Sequence, residues 1–293
     1  MFIIGIKKKH LEQKIAKIYN QGMTLKARNN FTLILSTFFL AVSTAALLFY
    51  LYKLNIIHKG QAMPNFTLSI KDFAPFSNSF FTLCLETLCI MFYIPAAAFF
   101  IYARFEKTPS NEVAYFVVFL LGCVPELFRL CVPLEIMQGS YPSLLVIAGR
   151  ALFWGRTLSF VSLFAASLLA APNKSMNAEQ NIFLLLVFSL TLASFAPVNT
   201  AKISASFNVQ TGWTQFFYLL FGAAAALTMI SYAMNAWSNE NPIFIKMGVD
   251  VLCVEAGLLA INSSAIFAAA LLGVFLLYAG TIRYFYNLHK IYA

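Results

Sequence analysis

Apolar runs long enough to cross a lipid bilayer recur along almost the whole chain, and no other feature restricts its fold as strongly. About 20 residues at ~1.5 Å rise cross a roughly 30 Å hydrocarbon core, where backbone N–H and C=O groups must find partners inside the protein. Runs of this kind lie near residues 31–52, 79–103, 113–131, 143–170, 181–198 and 213–236. The stretch 243–285 is too long for one helix, and the turn-prone Asn262-Ser263-Ser264 near its middle predicts a split into spans 243–261 and 264–285. The expected fold is all-α, a polytopic transmembrane bundle with eight spans, seven being the alternative. Residues 31–293 form this domain and residues 1–30 a separate tail. With 60% hydrophobic and 11% charged residues in 293, a soluble globule is excluded.

Basic residues set the orientation. Eight spans with the N-terminus inside leave Lys53, Lys59, Lys71 and Lys202 outside and put the other basic residues that lie between spans or in the terminal tails on the cytoplasmic side. Seven spans would move Arg283 and Lys290 outward and weaken that bias. The pattern fits a multi-pass protein of a bacterial cytoplasmic (inner) membrane. In the tail, Leu11, Ile15, Ile18 and Tyr19 recur at helical spacing, with Lys7, Lys8, Lys9, Lys14 and Lys17 on other faces. This predicts a basic amphipathic helix on anionic inner-leaflet lipids, with docking to a cytoplasmic protein partner as the alternative. A tail without a fold of its own gives no reason to expect nucleic-acid binding.

Two loops are expected to be structured. Thr108 is a candidate N-cap, with Pro109 at the first helical position and Glu112 in the first turn. Residues 66–71 and 203–210 each alternate apolar and polar side chains, which predicts two strands pairing into a small extracytoplasmic β-ribbon resting on the outer helix ends.

The spans contain charged residues that cost about 2.5–3.5 kcal/mol each even on an insertion scale, so they should face the interior and pair. Residue counts put Glu86, Glu126, Arg150 and Glu255 about 8–10 Å below the outer ends, with Arg129 on the face of Glu126. They are expected to form one network, in which an acid is left without a cation. Deeper in the membrane, Arg156 and Asp250 are the expected second pair. Either set can fix helix order or serve a binding site.

Several functions are excluded by inventory. His10, His58 and His289 lie outside the apolar runs, and Cys84, Cys89, Cys123, Cys131 and Cys253 lack metal-ligand spacing, so neither metal nor cofactor is expected. Lys246, at a span end, is badly placed for a retinal Schiff base. No catalytic motif appears, and enzymatic activity is the weaker expectation. Two classes remain. One is a receptor-like or scaffold subunit acting through protein partners; the other is a small ion-coupled transporter or permease using the buried carboxylates.

Overall fold

A computed structural model describes residues 26, 28–49, 52, 80–106, 108, 110–138, 142–170, 178–204, 206–263 and 266–292. The tail lysines Lys7, Lys8, Lys9, Lys14 and Lys17 and the strand predicted at 66–71 lie outside them. The described chain is mostly helical. Helix α1 spans Arg28–Phe49 and α2 Phe80–Phe105. Helix α3, Asn111–Cys123, tightens into a 3-10 segment, Val124–Leu130, before α4, Cys131–Gln138. Helices α5, Pro142–Leu168, and α6, Ala178–Phe195, precede an antiparallel hairpin of β1, Val198–Ile203, and β2, Val209–Thr211. Helices α7, Thr214–Ser238, α8, Ile243–Ser263, and α9, Phe267–Tyr292, complete the chain.

Six helices are long and apolar enough to cross a bilayer, which makes the chain a multi-pass membrane protein: α1, α2, the α3 region, α5, α7 and α9. Helix α6 offers a shorter apolar stretch, Gln180–Phe195, and α8 carries Lys246, Asp250 and Glu255. Large apolar side chains such as Phe92, Phe99, Phe183, Leu219 and Phe275 are exposed on the helix surfaces, as contact with lipid requires.

Glycines let two helix pairs touch backbone to backbone. A Cβ placed on Gly122 of α3 would lie 2.8 Å from the Gly155 carbonyl of α5, and one on Gly257 of α8 would lie 2.7 Å from the Gly273 carbonyl of α9. Close approach of this kind increases packing contact where lipid offers no hydrophobic drive for association. Helix α5 is the hub, touching α3, the 3-10 segment, α4, α6, α7 and both strands. Phe153 and Phe160 of α5 pack on Phe217 and Phe221 of α7 at ring separations of 4.1 and 4.9 Å.

Two local expectations need correction. The cap of α3 is Ser110, not Thr108: its hydroxyl accepts the Val113 N–H, and Glu112 lies in the first turn. Helix α1 is tied to the same corner. Arg28 donates to the carbonyls of Phe105 and Thr108, and Asn29 to that of Glu106, so they engage carbonyls at and just after the C-terminus of α2. The hairpin forms within one loop. Val198 pairs with Thr211 and Asn199 with Gln210, and Ser204, Ser206, Phe207 and Asn208 belong to the turn where a strand was expected. The Ser204 hydroxyl accepts the Asn208 N–H at 3.1 Å, and Phe207 takes a left-handed φ of 54°, which closes the chain on itself.

Candidate functional site

Val198, Ile203, Phe207 and Val209 of the hairpin pack with Val132 and Leu145 at the ends of α4 and α5. A Cβ on Gly149 would come within 3.0 Å of Val198, so this glycine seats the hairpin. The seating brings Ser206 and Asn208 of the tip against the charged side chains of Arg129 and Arg156.

The 3-10 segment places those charges. Pro125, at its start, lacks the N–H that would continue the α ladder, and the tighter winding eclipses residues three apart. Glu126 and Arg129 therefore lie above one another, with Arg129 Nη1 3.9 Å from Glu126 Oε2. Arg129 Nη2 donates to Glu86 Oε2 of α2 at 2.9 Å and to the Ser206 carbonyl of the tip at 2.9 Å; Nη1 donates to the Ile261 carbonyl of α8 at 3.2 Å. Arg156 of α5 grips Glu126 with a fork, Nε to Oε1 at 2.8 Å and Nη2 to Oε2 at 3.1 Å. The same Nη2 donates to Asn208 Oδ1 at 2.7 Å, and Asn208 Nδ2 donates to the Asn262 carbonyl of α8 at 2.6 Å. Glu86, Glu126 and Arg129 are each no more than 2% exposed.

This cluster contains two carboxylates and two guanidiniums, so its formal charges balance. Buried ion pairs add little net stability, because desolvation offsets the attraction, but they impose geometry. Here the geometry links α2, the 3-10 segment, α5, α8 and the hairpin tip. Arg129 Nε and both amide atoms of Asn262 stay without a hydrogen bond among the described residues.

The predicted site residues separate into four places. Glu86, Glu126 and Arg129 come together as expected from their depth, whereas Arg150 is exposed and outside the cluster. Six residues along a helix rotate a side chain by about 240°, so Arg150 and Arg156 occupy different faces of α5, and the inward face carries Arg156. The expected Arg156–Asp250 pair is not formed. Asp250 instead meets Arg283 Nε of α9 at 3.1 Å and accepts from Asn287 Nδ2 at 2.6 Å. Glu255 is buried apart from the cluster, facing Thr228 of α7 at 3.5 Å, with its Oε2 unpartnered among the described residues. Sequence reasoning missed Ser206, Asn208 and Asn262. A polar tip on an apolar hairpin was the available signal for the first two.

Among the described residues, no group of three or more His, Cys, Asp or Glu side chains is placed to hold a metal ion. An open pocket of about 450 Å³ lies beside the hairpin base, lined by Lys202, Gln210, Trp213 and Gln215 among others. No known protein family, curated protein or solved structure matches the chain. The class defined by the fold is thus a multi-pass helical membrane protein, and its function has to be argued from the site.

Proposed function

We propose that this protein is a receptor-like or scaffold subunit of a bacterial cytoplasmic membrane. In this reading it has eight spans, both termini inside and the hairpin outside. The observation that carries it is the double anchoring of the hairpin tip, Ser206 on Arg129 and Asn208 on Arg156. Through those arginines, any partner or ligand that displaces the tip would disturb contacts to α2, α5 and α8 at once. A charge-balanced, tightly bonded cluster also suits a mechanical link better than a coupling-ion site, which needs an accessible, uncompensated carboxylate. The basic tail supplies the contact to anionic inner-leaflet lipids or to a cytoplasmic protein partner.

The test is purification of the intact protein from its native membranes, with and without Asn208→Ala. A stoichiometric partner that is retained by the unaltered protein and lost from the variant supports the proposal. Ion-dependent solute flux by the protein alone in proteoliposomes, lost in Glu126→Gln, would overturn it in favour of a small transporter. Glu255, with its unpartnered oxygen, is the observation that favours that second reading.

A further inference from the structure

Glu255 is 1% exposed, and its surroundings on α7 and α8 are largely apolar. Charged groups on the neighbouring elements are engaged elsewhere. Asp250, earlier on α8, is held by Arg283 and Asn287 of α9, while Arg129 and Arg156 hold Glu86 and Glu126. What faces Glu255 from α7 is the Thr228 hydroxyl, 3.5 Å from Oε1. One turn further along the same face of α7 is Tyr232, fully buried, whose hydroxyl is 3.3 Å from that of Tyr284 on α9.

An isolated carboxylate is too costly to leave in hydrocarbon, and a carboxyl in this setting needs either a counter-charge or a proton. With no cation facing it among the described residues, the proton remains. We propose that Glu255 is a proton-binding site, its carboxyl held as the neutral acid beside the Thr228 hydroxyl, which itself donates to the Ala224 carbonyl at 2.8 Å. Binding forms one O–H bond on Glu255 as one in water or hydronium breaks, and release reverses the exchange. The inference is independent of the receptor reading, since it concerns α7 and α8 and leaves the hairpin contacts intact.

Infrared difference spectroscopy of the full chain in lipid tests the site. Transfer from H2O to D2O should shift the carbonyl stretch of a protonated carboxyl, and Glu255→Gln should abolish that band. Tyr232→Phe with Tyr284→Phe is the control: it keeps both rings and should leave the band in place. Labelling of the unaltered protein by a hydrophobic carbodiimide, which attacks protonated carboxyls in apolar surroundings, should modify the Glu255 peptide, and this readout survives if a variant fails to fold. An unchanged band in Glu255→Gln, or no label on Glu255, overturns the site.

Discussion

At the scale of single residues, Arg129 is where the cluster is most exposed to damage. Its guanidinium serves Glu86, Glu126 and two backbone carbonyls while only 1% accessible, so Arg129→Met would break the buried ion pair with Glu86. The expected cost is about 3–5 kcal/mol, as for other buried pairs broken on one side. Thermal unfolding in detergent should show it as a lowered midpoint, and adding Glu86→Gln to Arg129→Met should restore part of the loss. Arg150→Gln, at an exposed site, should change stability by no more than about 0.5 kcal/mol. The contrast between the two arginines also marks the limit of sequence reading. That Glu86, Glu126 and Arg129 would be buried and paired followed from their place in apolar runs. Which of Arg150 and Arg156 joined them depended on the rotation of α5 about its axis, which an almost uniformly apolar helix does not disclose.

At the scale of elements, the positions of the helices were legible because an apolar run of membrane length has few other fates. Their internal breaks were less so: the run through residue 131 continues past Leu130 into α4, and only Pro125 hints at the 3-10 winding between. The alternation at 203–210 was misleading because its polar members serve a turn and the arginines beneath it, not the solvent face of a strand. Contacts between elements depend on glycines whose partners are far away in sequence. Gly122→Ala and Gly257→Ala would each drive a methyl into a neighbouring backbone, within 2.8 and 2.6 Å of fixed atoms. Each should cost about 1–3 kcal/mol, the usual range for overpacking. Gly222→Ala on α7 is the control, since a Cβ there meets nothing within 4 Å. It should be neutral or stabilising by up to about 1 kcal/mol, because alanine favours the helix. Parallel melting curves of the three variants would check the difference, and equal losses would contradict the backbone contacts inferred at the first two.

At the scale of the whole molecule, helix directions and connections impose a sidedness that can be argued without a membrane. The hairpin follows α6 and precedes α7, so the end of α6, the start of α7 and the turn between α8 and α9 share one end of the bundle with the 3-10 cluster. The opposite end holds Arg28, the α2–α3 corner capped by Ser110, the turn after α7 and the end of α9. In the proposed eight-span arrangement each passage between these ends is a crossing, including those of α6 and α8, whose composition alone is the weakest support for spanning. If α6 lay along the surface, Lys202 and Glu240 would exchange sides; if α8 did, the end of α9 would lie outside. In intact cells, a membrane-impermeant thiol reagent should therefore label Lys202→Cys, in a background without native cysteines, and should reach Glu240→Cys only after permeabilisation. A fluorescent protein that matures only in the cytoplasm should be bright when fused after Ala293. Labelling of Glu240→Cys in place of Lys202→Cys, equal access to both, or a dark fusion would reject the eight-span arrangement, and with it the placement of the arginine-anchored hairpin on the outer face.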